Sequence, residues 1–264
     1  MSAGSHDAVT PDDDAALAAE LAQRAGELLL ELRGSGRAQG RELGALGDRA
    51  SNELIVGELR RRRPDDAVLS EESVDDPVRL QAERVWIVDP LDGTREFTMP
   101  GRPDWAVHVA CWTRADGLVA GAVGEPASGR IERSDRPRAR PASAGPLSIV
   151  VSASRAPAWV QPMAAALGAE LATLGSAGAK AMSVLRGEHA AYVHDGGQWE
   201  WDSAAPVAVA LAHGLHASRI DGARLLYNRP DPYLPDLLIC EPGRAPELLS
   251  AIAAARGRGP TQNA

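Results

Sequence analysis

The sequence predicts a layered α/β fold whose first half is more antiparallel than a simple doubly wound sheet. Three observations carry that expectation. Short apolar runs of strand length alternate with stretches of helical periodicity through the second half. Asp116-Gly117 joins two apolar runs in the first half, which is a hairpin signal. Val85-Trp86-Ile87-Val88 is an unbroken apolar run, the pattern of a strand buried on both faces. With 264 residues the chain can form one large domain or two halves sharing a fold. Residues 1–135 are read as the first half, the segment 136–146, rich in proline and arginine, as a linker, and residues 147–264 as the second half.

Leu17, Leu21, Leu28 and Leu32 recur at near-helical spacing and predict a helix over residues 14–33, closed by Gly34-Ser35-Gly36. Residues 34–47 are glycine-rich and read as a surface loop; they follow a helix, which removes the context a dinucleotide fingerprint needs. A second helix is expected over residues 48–63, with Asp48 placed as its N-cap and Arg60 to Arg63 at its C-terminal end. Residues 67–70 form a short strand ending on Glu71-Glu72. In the strand at 85–88, Pro90 lacks an amide hydrogen, so pairing should stop beyond Asp89, and Gly93 permits a tight reversal.

Strands are expected over 105–113 and 118–125, with 129–135 continuing the sheet. The second half reads as strand 147–152, helix 157–167, strand 170–174, helix 177–186, strand 190–194 and helix 202–213. A hairpin of 216–220 and 224–227 around Asp221-Gly222, strand 236–240 and helix 246–256 complete it.

A hydrophobic share of 44% with 24% charged residues describes a globular chain, and a net charge of −8 argues against a general nucleic-acid binder. The Arg60–Arg63 run is followed at once by Asp65 and Asp66 and reads as a solvated helix end. Two cysteines, each in an apolar stretch, suit buried thiols in a reducing compartment. An acidic N-terminus without an apolar core, and no run long enough to cross a bilayer, predict a cytoplasmic protein with no membrane partner.

The chemistry concentrates in acids that end elements. Asp89 and Asp92 stand three apart at a strand end, Glu71 ends another strand, and Asp202 begins a helix. Each has a plain alternative: turn residues for Asp89 and Asp92, a solvated turn for Glu71, helix capping for Asp202. Together with the Leu91 carbonyl they make an all-oxygen donor set, which suits Mg²⁺, Ca²⁺ or Mn²⁺ better than zinc or copper. Other constellations fail. His213 and His216 lack a third ligand, and His189 and His194 do not make a His-Glu-x-x-His pattern. There is no serine elbow and no Walker lysine loop. The six tryptophans read as core and pocket walls.

Ser70-Glu71-Glu72, Trp86-Ile87-Val88-Asp89-Pro90-Leu91-Asp92-Gly93-Thr94 and Trp201-Asp202-Ser203-Ala204-Ala205 resemble, at this spacing, the inositol monophosphatase superfamily of lithium-sensitive, magnesium-dependent sugar and nucleotide phosphatases. Gly93-Thr94-Arg95-Glu96-Phe97, Gly175-Ser176-Ala177-Gly178-Ala179-Lys180 and Leu226-Tyr227-Asn228 are similar to its CysQ-type 3'(2'),5'-bisphosphate nucleotidases, in particular the actinobacterial type. The loop before Asp48, Gly40 to Gly47, departs from the Lys and Thr that many members carry there.

The resemblance implies an αβαβα sandwich and two or three Mg²⁺ per site, with Mn²⁺ as a substitute. It implies that Glu71, Asp89 and the Leu91 carbonyl hold one cation and that Asp89, Asp92 and Asp202 hold another. Thr94, paired with Asp48, would take a proton from the attacking water, with Glu71 orienting that water. The Gly93 and Thr94 amides would seat a phosphate. Arg95, Ser176, Lys180, His194 and Asp202 would line the substrate, Lys180 serving the nucleotide or its second phosphate. The implied reaction removes the 3'-phosphate of adenosine 3',5'-bisphosphate to give AMP, with the 5'-phosphosulfate relative as a further substrate. Inositol 1-phosphate or fructose 1,6-bisphosphate are the same-site alternatives. A non-catalytic phosphometabolite sensor is the alternative from another class, and the intact Asp48 and Thr94 argue against it. A homodimer and a place in sulfur metabolism follow from the resemblance alone.

Overall fold

A computed structural model describes residues 10–139 and 146–257. The first part of the chain runs α1 (Pro11–Gly34), α2 (Gly40–Arg62), β1 (Ala67–Ser70), β2 (Arg84–Asp92), α3 (Thr94–Thr98), β3 (Ala106–Thr113), β4 (Gly117–Glu125) and β5 (Arg130–Arg133). It continues with β6 (Ser148–Ser152), α4 (Val160–Leu167), β7 (Glu170–Leu174), α5 (Ala177–Leu185), β8 (Ala191–Trp199), α6 (Glu200–Ala212), β9 (His216–Ser218), β10 (Tyr233–Cys240) and α7 (Ala245–Gly257). One sheet has the order β1-β2-β3-β4-β5, with β1 parallel to β2 and the other neighbours antiparallel. The other has the order β7-β6-β8-β10-β9, with β6 parallel to both β7 and β8 and the rest antiparallel.

Alternation along the strands builds the layers. In β2, Trp86 and Val88 pack with Leu17 and Leu21 of α1 and with Ile55 and Leu59 of α2. Val85 and Ile87 turn the other way, into a cluster with Met182 of α5 and Ala204 and Val207 of α6. The second sheet repeats the device: Val150, Tyr192 and Ile239 face that same middle cluster, while Ile149, Val193 and Leu238 face α4 and α7. The result is an αβαβα sandwich whose middle helices serve both sheets. The alanine face of α6 matters for its thickness. A Cβ on Gly121 of β4 would come 2.7 Å from the Ala208 Cβ, so helix and sheet are already in contact. Larger side chains there would overpack, at a cost of about 1–3 kcal/mol.

The structure corrects several expectations. Residues 40–47 are helix and not loop, so Asp48 lies inside α2 and is not its N-cap. Gly44 and Gly47 disfavour helix locally, because glycine costs about 1 kcal/mol against alanine there. Their function is spatial. A Cβ on Gly44 would lie 2.8 Å from the Thr94 Cγ2, and one on Gly47 would lie 2.9 Å from the Phe97 Cε1. α2 is bare there so that α3 can rest on it.

β2 does not end at Pro90. It runs to Asp92, with a slip of register against β3 between Asp89 and Asp92. β8 continues past His194 to Trp199 through Gly196 and Gly197, both at positive φ. α6 begins at Glu200, so Asp202 is in its first turn and not at its cap. The helix expected from 157 starts at Val160. No strand forms at 224–227, because Tyr227 is drawn inward to meet the Ser203 hydroxyl at 3.1 Å and Asn228 reverses the chain at φ 57. Within the segment read as a linker, residues 140–145 lie outside the described residues. Among the described residues, no helix is long and apolar enough to cross a membrane.

Candidate active site

The bulged end of β2 is stitched before it carries any chemistry. The Pro90 carbonyl accepts from the Ser51 hydroxyl of α2 at 2.7 Å, and the Leu91 amide donates to Asp89 Oδ1 at 3.0 Å. Gly93 then turns at φ +84, where a Cβ would meet the Asp104 carbonyl and the Ser176 Cβ, each at 3.2 Å. Asp89 and Asp92 are thereby buried, Asp89 at 1% exposure. β1, parallel beside β2, delivers Glu71, whose amide donates to the Val88 carbonyl at 3.2 Å. α6 delivers Asp202 from the far side.

Asp89, Asp92 and Asp202 each offer a carboxylate oxygen, and the three lie within 4.8 Å of one another. Their orientations are fixed from behind. On Asp92, Oδ2 accepts from the Ser176 hydroxyl and, at 2.7 Å, from the Gly178 amide, and it lies 3.2 Å from His108 Nε2. On Asp202, Oδ2 accepts from the Trp199 amide at 2.6 Å. Donors thus gather on Oδ2 of Asp92 and of Asp202, while on Asp89 the Leu91 amide takes Oδ1. Glu71 stands outside the three, on the rim, and shares a hydrogen bond with Asp89.

The electrostatics show what this crowding costs. Burial, then Glu71 and Asp92, push Asp89 well above the usual carboxylate range. Burial and the neighbouring Asp202 push Glu71 up to about 7, although the residue as a whole is exposed. Burial and Asp92 push Asp202 up to about 6. Asp92 goes the other way: burial opposes its charge, but His108 and Lys180 hold it well below the usual range. Oxygen ligands of this number and charge fit a hard divalent cation, which would relieve their repulsion.

Thr94 opens α3 with its hydroxyl between two acceptors, Asp48 Oδ1 at 3.2 Å and the Leu91 carbonyl at 3.1 Å. One hydroxyl proton serves one of them at a time. Burial, followed by the charge of Glu72, pushes Asp48 up to about 6, against the pull of the Thr94 hydrogen bond. A base poised near neutrality beside a hydroxyl is an arrangement for moving a proton.

Other residues singled out from the sequence sit differently. Arg95 is exposed on α3. Ser176 is fully buried and caps α5, accepting from the Ala179 amide at 3.0 Å while donating to Asp92. Lys180 is 2% exposed, and its ammonium donates to the Gly175 and Ser176 carbonyls, each at 2.7 Å. Burial lowers it to about 8. His194 is likewise buried, bonded to the Gly196 carbonyl at 2.8 Å, and burial followed by Lys180 lowers it to about 4.

Sequence reading passed over His108 and Asp104. Asp104 ties the Gly175-Ser176 turn to the site, its Oδ2 accepting from the Gly175 amide at 2.7 Å. His108 connects Asp92 to α6, with Nδ1 3.2 Å from the Trp201 carbonyl. Its one signal in the sequence is a histidine inside the apolar run of β3.

A layered αβαβα chain with carboxylates converging from two strands and a helix is of the metal-assisted phosphoryl-transfer type. The chain belongs to the inositol monophosphatase family, which matches residues 11–258. It is similar to a Mycobacterium leprae protein named 3'-phosphoadenosine 5'-phosphate phosphatase, with 55% identity over 90% of this chain and 93% of the other. It is also similar to the Escherichia coli K12 protein named 3'(2'),5'-bisphosphate nucleotidase CysQ, with 32% identity over 71% of this chain and 80% of the other. The fold matches the crystal structure of inositol monophosphatase-II from Staphylococcus aureus, with TM-score 0.77 and 20% identity over 92% of this chain and 96% of that one.

Proposed function

We propose that the chain is a divalent-cation-dependent phosphatase that removes the 3'-phosphate of adenosine 3',5'-bisphosphate to give AMP, with the 5'-phosphosulfate relative as a second substrate. The observation that carries the reaction class is the set of three acids within 4.8 Å beside the Thr94–Asp48 pair. The names borne by relatives at 55% and 32% identity support the nucleotide as substrate.

Mg²⁺, or Mn²⁺ in its place, held by Glu71, Asp89, the Leu91 carbonyl, Asp92 and Asp202, would supply Lewis-acid charge for phosphoryl oxygens and lower the pKa of water. Thr94 takes the proton of the attacking water through its hydroxyl, passing its own to Asp48 Oδ1. Glu71, on the rim, orients that water. The amides of Gly93 and Thr94 face the phosphate, and the rigid β2 bulge below them keeps the attack in line. Ser176 and Lys180 act from behind: Ser176 aims Asp92, and Lys180 holds the Gly175-Ser176 turn through its carbonyls. His194 holds the Gly196 carbonyl in the same way. Arg95 lies exposed on α3, from where it would reach the substrate.

A parallel assay of adenosine 3',5'-bisphosphate, inositol 1-phosphate and fructose 1,6-bisphosphate with Mg²⁺ tests the proposal. The bisphosphate nucleotide should have the highest kcat/KM. Clear preference for inositol 1-phosphate would overturn the nucleotidase reading while keeping the phosphatase one.

A further inference from the structure

A nucleotide with two phosphates presents one to the acid cluster and must place the other somewhere. Lys180, the cation that sequence reading nominates, is 2% exposed and occupied by backbone carbonyls. A different cation stands on the surface. Arg155 follows β6, with its backbone amide donating to the Ser152 hydroxyl at 3.2 Å in a tight turn. Its side chain is exposed and reaches across to β8, where Nη1 donates to the Gly197 carbonyl at 2.6 Å.

The strip of chain it grips is the one that ends in a metal-ligand candidate. Gly196 and Gly197 take positive φ of 92° and 75°. The Gly197 amide donates to the Tyr233 hydroxyl at 3.1 Å, the Gly196 carbonyl meets His194, and the Trp199 amide binds Asp202. A Cβ on Gly197 would come 3.0 Å from Arg155 Nη1, so glycine leaves the guanidinium its place. The positive charge of Arg155 acts on Asp202, Lys180 and His194. Among the described residues no carboxylate pairs with it. A guanidinium carries five donors in a planar fork, and the bond to Gly197 uses one nitrogen. The other edge remains for a planar, bidentate anion contact.

We infer that Arg155, anchored on the Gly196-Gly197 turn, seats the second phosphate of the substrate, the one that is not cleaved. It is a specificity residue: it rewards a bisphosphate over a monophosphate and takes no part in the proton transfer. This rests on the nucleotidase reading above and deepens it.

Adenosine 3',5'-bisphosphate and adenosine 3'-monophosphate differ only in the phosphate that Arg155 would hold, so the pair isolates its effect. The wild type should favour the bisphosphate. In Arg155→Ala the ratio of the two kcat/KM values should fall about tenfold, mostly through KM for the bisphosphate, as expected for loss of a charge-assisted phosphate contact. Arg155→Lys should recover part of the ratio, since a point charge replaces the fork. An unchanged ratio in Arg155→Ala, or an equal loss on both substrates, overturns the assignment. A wild type that cleaves neither nucleotide but cleaves inositol 1-phosphate overturns the nucleotidase reading and the assignment with it.

Discussion

His108 holds Asp92 from inside the core: Nε2 lies 3.2 Å from Asp92 Oδ2, while Nδ1 faces the Trp201 carbonyl at the start of α6. The histidine is fully buried, and a Cβ on Gly178 would stand 2.2 Å from its Nε2, so the ring has no room to swing away. Asp92 from β2 and Asp202 from α6 thus keep their mutual distance through one imidazole.

His108→Leu should therefore weaken cation binding without touching the reacting groups. Residues that orient metal ligands typically cost about 10–100-fold in affinity or activity when lost. The Mg²⁺ concentration for half-maximal activity should rise within that range, and saturating Mg²⁺ should recover much of kcat. An unchanged Mg²⁺ dependence would show that Ser176 and Gly178 position Asp92 unaided.

Thr94 and Asp48 are expected to act as one unit. Thr94→Ala and Asp48→Asn should each lower kcat by about 10²–10⁴-fold, the usual weight of a general base, with KM little changed. The double variant should be scarcely worse than either single one. Thr94→Ser keeps the hydroxyl and should keep most of the activity. Additive losses in the double variant would separate the two residues.

The acid cluster predicts how stability depends on pH when cations are removed. Glu71 at about 7, Asp202 at about 6 and Asp89 well above the usual range all have folded values above their unfolded ones. The folded state then binds more protons than the unfolded state, and stability falls as pH rises through those values. His194, lowered from 6.5 to about 4, acts in the opposite sense over that interval, as lowered His189 and His216 do less far down. Lys180, lowered from 10.5 to about 8, opposes the acids again as pH approaches 8, so the carboxylate signature should be cleanest just above pH 6.5, between the histidines and the lysine. With chelator, Tm should drop between pH 6.5 and about 7.5, and the rise in Tm on adding Mg²⁺ should grow over the same range. A Mg²⁺ shift that is flat with pH would separate cation binding from these acids.

The cluster of acids was legible in the sequence because they stand at or near the ends of strands and helices, where regular backbone pairing is disturbed and side chains can face a cleft. Glu71 follows β1, Asp92 closes β2 and Asp202 lies in the first turn of α6, while Asp89 stands inside β2 at the slip of register before Asp92. The layer order was legible for a related reason: β2 and β6 are apolar on both faces, which requires cover on both. The supports were not legible. His108 and Asp104 come from positions whose neighbours in sequence say nothing of Asp92 or Gly175, and their partners lie far along the chain. Lys180 reads from the sequence as a substrate cation because a lysine near a phosphate site is expected to reach outward. Its burial follows from the packing of α5 against both sheets, with Tyr192 5.2 Å below the ammonium.

Gly44 offers the sharpest contrast between local preference and tertiary need. Alanine in its place favours the α2 helix by about 1 kcal/mol. Its Cβ would also stand 2.8 Å from the Thr94 Cγ2, closer than side chains tolerate, and 3.3 Å from the Thr98 Cγ2, which is tight. Either α3 shifts, or Thr94 turns, and in both cases the 3.2 Å contact to Asp48 lengthens. Gly44→Ala should consequently leave Tm within a few degrees of the wild type, because the helix gain offsets part of the strain, while kcat falls by about tenfold or more, the scale expected when a catalytic pair is displaced by a fraction of an ångström. Thermal unfolding and steady-state kinetics on the same preparation decide it. Full activity in a stabilised Gly44→Ala would mean that α3 yields freely and that the bare face of α2 does not set the Thr94 geometry.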